Sequence, residues 1–254
     1  MAPVRLVAFD LDDTLAPSKS AMPPAVAAAL RSLLDVVDVC VISGGQWQQF
    51  DTQMLAGLDA TPEEAARLHI MPTCGTRYVR HDGEVWSTVY EHPLTVEERE
   101  RVTVAMVREA RALGLWEERT WGEIIEDRGT QITFSALGQE APLDAKRAWD
   151  PTGSKRIALA QAIAPHLSGL EVRAGGSTSV DVTRAGVDKA YGIRALSEES
   201  GIPLEEMVFV GDRLDPQGND YPVRALGVRC IETTGPEETV RIIQRLIAEI
   251  GEER

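Results

Sequence analysis

From Val4 to Phe9 the chain is almost wholly apolar and lacks the every-other-residue alternation of a half-solvated strand. Its length and β-branched content predict a strand buried on both faces, as in a parallel sheet. The Ala/Leu spacing from Met22 to Leu34 predicts a helix, and Val36 to Ile42 a second buried strand that ends at Ser43-Gly44-Gly45. A β-α-β unit of this kind implies parallel strands and a right-handed crossover. A helix over Gln46 to Leu55 and a short strand at His69 to Pro72 follow.

The pattern changes near Thr76. Tyr78 to Arg80 and Glu84 to Tyr90, with Asp82-Gly83 between them, carry a hairpin signature. A long charged amphipathic helix is predicted from Thr95 to about Leu113. Strands are predicted at Gly122 to Glu126 and Thr130 to Ala136, a helix at Lys155 to Leu167, and strands at Leu170 to Arg173 and Ser179 to Thr183. From Asp188 the parallel style returns, with a helix to Ser200, an apolar strand Met207 to Val210, a short strand near Val228 to Ile231 and a helix from Glu237 to Ile250. The expected fold class is therefore α/β: a Rossmann-like parallel-sheet core over residues 1–80 and 187–254, interrupted by an inserted α+β domain over 81–186.

A chain of 254 residues with 43% apolar residues can fill one large or two modest domains. Its net charge of −14 argues against non-specific nucleic-acid or anionic-membrane binding. No apolar stretch reaches the length of a membrane span, and the amino terminus does not resemble a signal peptide. The three cysteines, Cys40, Cys74 and Cys230, fit neither a disulfide framework nor a CxxC site, so a reducing, cytoplasmic location is expected. The five tryptophans have no period and read as packing rather than a base-stacking platform.

The candidate chemistry begins where the first strand stops, at Asp10-Leu11-Asp12-Asp13-Thr14. In an extended chain Asp10 and Asp12 point to one side and Asp13 away, so two carboxylates would share a small site at a sheet edge. Such spacing calls for a divalent cation, a division into acid and base, or both. The plainer reading is that Asp12 and Asp13 cap a turn. Ser43 follows the second strand, Lys189 opens a helix, and Gly211-Asp212 with Gly218-Asn219-Asp220 follows another strand. Taken singly, Ser43 and Asp220 could be helix caps and Lys189 a solvated helix residue.

With these four groups in this order, the chain resembles the haloacid dehalogenase-like superfamily of phosphotransferases. The resemblance implies that Asp10 is a nucleophile forming an aspartyl-phosphate and that Asp12 protonates the leaving oxygen and later deprotonates the acceptor. It implies that Thr14 and Ser43 bind phosphoryl oxygens, with Gly44 beside the substrate, and that Lys189 supplies fixed positive charge. Mg2+ would be held by Asp10, the main-chain carbonyl of Asp12 and Asp212, with Asn219 or Asp220 contributing directly or through water.

The insert resembles the large α/β cap of the Cof-type subfamily (IIB), and the likeness to eukaryotic-type phosphomannomutases runs over nearly the whole chain. It is carried by Asp82-Gly83, Glu126-Asp127-Arg128 leading into Thr133-Phe134-Ser135, Gly175 to Val182, Asp188-Lys189 and Gly211 to Asp220. Arg128, Ser179 and Asp181 match positions that hold the sugar or its second phosphate in those enzymes. Read from the residues alone, Arg128 could be an exposed turn residue, and Ser179 and Asp181 solvated strand-end groups. Lys19, Gln139 and Lys146 stand where the family has arginines; a point-charge lysine or a neutral glutamine grips a phosphate less well than a bidentate guanidinium. The resemblance thus implies a Mg2+-dependent phosphatase of a small phosphate ester, a sugar phosphate above all. The alternatives are a phosphomannomutase interconverting hexose 1- and 6-phosphates and, more remotely, a catalytically silent sugar-phosphate-binding protein. Pairing of two chains through the cap is implied by the resemblance alone.

Overall fold

A computed structural model describes residues 2–252. The strands, in chain order, are β1 (Leu6–Phe9), β2 (Asp38–Ile42), β3 (Leu68–Met71), β4 (Arg77–His81), β5 (Trp86–Glu91), β6 (Ile125–Asp127), β7 (Ile132–Ser135), β8 (Leu170–Ala174), β9 (Ser179–Arg184), β10 (Met207–Gly211) and β11 (Arg229–Glu232). The helices are α1 (Pro24–Leu34), α2 (Trp47–Phe50), α3 (Ala56–Leu58), α4 (Pro62–Ala66), α5 (Val96–Ala112), α6 (Leu143–Trp149), α7 (Ser154–Ile163), α8 (Lys189–Ser200), α9 (Tyr221–Ala225) and α10 (Pro236–Glu252).

The chain divides into two units, one made of residues up to Glu91 and from Asp188 onward, the other of His92–Val187. The first holds a seven-stranded sheet in the order β11-β10-β1-β2-β3-β4-β5. The five strands from β11 to β3 are parallel, and β4 and β5 continue them antiparallel. Successive residues of β1 go to opposite faces, as the period of two requires. Val7 and Phe9 pack with α1 and α10, and Leu6 and Ala8 with α8 and α9. That double burial is why the strand reads as continuously apolar. The second unit holds a four-stranded antiparallel sheet, β6-β7-β9-β8. One face, with Ile132, Phe134, Val180 and Val182, packs on Val102 and Met106 of α5 and Leu159 and Ile163 of α7.

The hairpin β4-β5 belongs to the large sheet, not to the insert, so the division falls after Glu91 rather than near residue 80. Tyr78 and Val79 explain this: they are buried on opposite faces of the large sheet, one in each of its cores. The second strand begins at Asp38 rather than Val36, because Val36 and Val37 are still hydrogen-bonded to Leu33 at the end of α1. The helix expected over Gln46 to Leu55 starts as α2 but passes through a π-helical turn, Asp51–Leu55, into α3. Helices α4 and α6 were not expected. Helix α4 is nucleated by a Thr61/Glu64 capping box with Pro62 behind it. Helix α6 buries Lys146, against the apolar periodicity by which helices are recognised. Among the described residues no helix is long and apolar enough to cross a membrane.

Candidate active site

Register places the acidic residues before any side chain is considered. Phe9 lies opposite Val210 in the parallel ladder, and Asp10 N–H donates to Val210 O at 3.0 Å. Asp10 and Gly211-Asp212 therefore leave adjacent strands side by side at the carboxyl edge, where open α/β sheets leave a crevice. Asp220 is brought back by the loop after β10: Arg213 N–H donates to its Oδ2 at 3.0 Å. A Cβ on Gly211 would stand 2.3 Å from Asp220 Oδ2, so only glycine lets this carboxylate lie against the strand. Asp10, Asp212 and Asp220 each offer a carboxylate oxygen within 4.8 Å of the other two.

Lys189 enters from the start of α8, whose N-cap Asp188 accepts from Tyr191 N–H at 2.9 Å. Close approach of this helix depends on Gly192, where a Cβ would meet Ile42 Cδ1 at 2.4 Å and Cys74 O at 2.7 Å. The buried Lys189 ammonium donates to Asp10 Oδ1 at 2.5 Å and to Asp220 Oδ1. Burial alone would lower its pKa, but Asp10 and Asp220 reverse that and hold it above the ordinary lysine value. Burial pushes the Asp10 carboxyl up to about 7, with Lys189 opposing and Asp220 adding to the rise. Burial and Asp220 likewise raise Asp212.

With every group ionised, three carboxylates face one ammonium, so the cluster has an excess of negative charge in a poorly solvated place. A divalent cation would balance it, and an all-oxygen donor set suits a hard one. The residues present therefore fit such an ion. Asn219 is exposed, and it is its neighbour Asp220, wholly buried, that joins the cluster.

The chain does not stay extended beyond Asp10. Asp13 takes a left-handed conformation, with φ of 57°, and Asp12 bridges to Ala16. The Asp12 side chain consequently goes to different partners: Oδ2 accepts from Gln49 Nε2 at 2.8 Å, and Oδ1 from Lys19 N–H at 2.9 Å and Gln53 Nε2 at 3.4 Å. Lys19 is exposed and meets Asp12 through its backbone. Asp13 is exposed and accepts from Ser18 N–H, a turn-capping role. The Thr14 hydroxyl is buried with no hydrogen-bond partner among the described residues. Ser43 Oγ accepts from Gly45 N–H at 3.2 Å, capping its own turn while its hydroxyl proton is left to donate; Gly44 is half-buried between them.

In the second unit, β7 and β9 pair Thr133 with Asp181 and Ser135 with Ser179, so these four side chains share the sheet face opposite the apolar core. Asp181 Oδ1 accepts from Thr133 Oγ1 at 2.7 Å and from Gln131 Nε2 at 2.9 Å. Arg128 reaches back to Glu126, with its Nη2 donating to Oε2 at 2.7 Å and its Nε at 2.8 Å. It is thus an internally paired, mostly buried group rather than an exposed turn residue. Lys146 Nζ donates to the Gln139 carbonyl at 2.8 Å, and the Gln139 side-chain Nε2 is buried without a partner among the described residues.

The residues missed by sequence reasoning are Gln49 and Gln53, which hold Asp12. Their only local signal is a spacing of four on a helix, which many solvated pairs share.

A family model described as eukaryotic phosphomannomutase matches residues 26–249. That span contains Ser43, Lys189, Asp212 and Asp220, while Asp10 and Asp12 lie before it. The phosphomannomutase of Saccharomyces cerevisiae is 25% identical over 257 residues, covering 96% of this chain and 94% of that enzyme. The phosphomannomutase of Schizosaccharomyces pombe is 23% identical over 253 residues, covering 96% and 95%. Among solved structures, N-terminally truncated Plasmodium falciparum IMP-nucleotidase superposes with a TM-score of 0.72 at 15% identity, over 98% of this chain and 71% of that one. A haloacid dehalogenase-like hydrolase from Bacteroides thetaiotaomicron superposes with a TM-score of 0.66 at 17% identity, over 96% and 99%. At these identities the structural likeness speaks for the fold.

Proposed function

Since the chain belongs to the eukaryotic phosphomannomutase family and has the architecture of a haloacid dehalogenase-like hydrolase, we propose that it is a Mg2+-dependent phosphatase of a small phosphorylated metabolite, a sugar phosphate above all. The observation that carries the reading is Asp10, buried at a strand end, gripped by Lys189 and grouped with Asp212 and Asp220.

Asp10 Oδ attacks phosphorus, the ester P–O bond breaks, and the departing oxygen takes a proton from Asp12. Water then attacks the aspartyl-phosphate and gives its proton to Asp12 as phosphate leaves. A carboxylate can approach a phosphate dianion only if positive charge and donors hold the phosphoryl oxygens. Lys189 supplies the fixed charge, and Ser43 and Thr14 supply hydroxyl donors with spare capacity. Asp10, Asp212 and Asp220 would hold Mg2+, which when bound neutralises phosphoryl charge and keeps Asp10 ionised.

Intramolecular transfer shares the first half-reaction, and family membership favours it as the second reading. A mutase must also grip the phosphate that does not react. Here Arg128 is tied to Glu126, Lys146 to a main-chain carbonyl, and position 139 holds a neutral glutamine. This supports hydrolysis over transfer.

The test is an assay with Mg2+ on mannose 1-phosphate and glucose 1-phosphate, with and without a catalytic amount of the matching 1,6-bisphosphate. Phosphate release without 6-phosphate product is expected. Bisphosphate-dependent 6-phosphate without stoichiometric phosphate would replace the phosphatase by the mutase, and no turnover of any phosphate ester would leave only a binding protein.

A further inference from the structure

We propose that Gln49 and Gln53 are positioning residues that aim the Asp12 carboxyl at the leaving oxygen. The proposal rests on the reading of Asp12 as the proton donor. A general acid is useful only when held within hydrogen-bond reach of the atom it protonates, and a carboxyl group on a loop has rotational freedom to lose. Asp12 stands on such a loop, past the end of β1. Beside Lys19 N–H, which donates to Oδ1 at 2.9 Å, a pair of amides four residues apart fixes it: Gln49 in α2 donates to Oδ2 at 2.8 Å, and Gln53 in the following π-helical turn donates to Oδ1 at 3.4 Å. Together these donors hold both oxygens, with Gln49 on Oδ2, which sets the plane of the carboxyl group as one donor could not.

The support behind this pair is itself specific. Gln53 is buried and also ties down the far end of the Asp12 loop, because its Nε2 donates to Ser20 O at 2.8 Å and its main-chain O accepts from Met22 N–H at 2.7 Å. A π-helical turn departs from the regular ladder, and such turns recur at functional sites. Gln49 depends on a glycine. A Cβ at Gly45 would lie 2.0 Å from Gln49 Oε1 and 2.6 Å from its Cδ, displacing the very amide that holds Asp12. The backbone at Gly45 has no positive φ, so alanine fits there conformationally and perturbs chiefly Gln49.

A misaimed acid harms poor leaving groups far more than good ones, and two aryl esters of similar shape separate the effects. Phenyl phosphate expels a weakly acidic phenol that needs the proton, whereas p-nitrophenyl phosphate expels a stable anion that needs it much less. With saturating Mg2+, Gln49→Leu should lower kcat/KM, which reports the step that expels the leaving group, about tenfold on phenyl phosphate, with a loss several times smaller on p-nitrophenyl phosphate. Gln49→Glu, isosteric but unable to donate and adding a like charge, should do at least as much damage with the same selectivity. Gly45→Ala should show the selectivity without replacing either glutamine, and Asp12→Asn should show it most strongly. Equal losses on both esters in the Gln49 and Gly45 variants, with Asp12→Asn still selective, would overturn the positioning role and leave the acid in place. If Asp12→Asn lost kcat/KM equally on both esters, the reading of Asp12 as proton donor would fall, and the proposal with it.

Discussion

The two units bury polar groups in opposite ways. In the larger one, Asp10, Asp212, Asp220 and Lys189 are gathered with negative charge in excess. In the smaller one, Arg128 is matched by Glu126, Asp181 by two neutral donors, and Lys146 by a main-chain carbonyl. Burying unbalanced charge is costly and persists only where a ligand completes it, whereas internally satisfied polar groups stabilise the unit that carries them. The first arrangement suits a site that a cation and a charged group would complete. The second suits a surface meeting neutral hydroxyls.

The comparison breaks most visibly at Asp10. Asp10→Asn should lose at least about a thousandfold in phosphate release with Mg2+ present, because the proposed nucleophile itself is gone. Retention of more than a tenth of the activity would remove the larger unit's claim to the chemistry. Next in size is Lys189→Met, which leaves buried carboxylates without their ammonium; urea unfolding of the metal-free protein should show a loss of about 3–5 kcal/mol. A loss under about 1 kcal/mol would mean that the cluster is less charged than its geometry suggests.

Mg2+ sharpens the contrast further. At about a hundred times its Kd it should add about 2.7 kcal/mol, a rise in Tm of several degrees. Asp212→Asn should abolish that rise, while Asp181→Asn in the smaller unit should leave it intact. An equal shift in the Asp212→Asn variant would place the cation elsewhere.

How far the sequence could be read follows the same division. The larger unit announced itself because β1 and β10 are buried on both faces and end abruptly in Asp10 and Gly211-Asp212, so apolar run and chemistry are contiguous. The sheet partner of the β4-β5 hairpin was not legible, since the local pattern gives a hairpin's turn but not the neighbour that its outer edge will find. Helix α6 escaped because its one buried residue is a lysine, held by a carbonyl only the folded chain supplies. The hold on Asp12 escaped for a similar reason: Gln49 lies 37 residues away, and the turn at Asp13 that rotates Asp12 toward it needs a left-handed residue that is not glycine.

The smallest expected effect asks whether the smaller unit can be given the property it lacks. Among the described residues the buried side-chain N–H group of Gln139 has no partner, at a position where arginine marks the mutases in the family resemblance. Gln139→Arg adds one guanidinium. If Arg128, Ser179 and Asp181 meet the far end of the substrate, this cation should strengthen binding of glucose 1,6-bisphosphate by about fivefold, roughly one charge-assisted hydrogen bond, while changing that of p-nitrophenyl phosphate little. Competition of the bisphosphate against p-nitrophenyl phosphate reads the difference directly, because the aryl ester has no second phosphate to bind. Equal inhibition of parent and variant, joined to no effect of Arg128→Ala, would show that the far phosphate is not held by this unit and that the balance of its charges reflects folding stability alone.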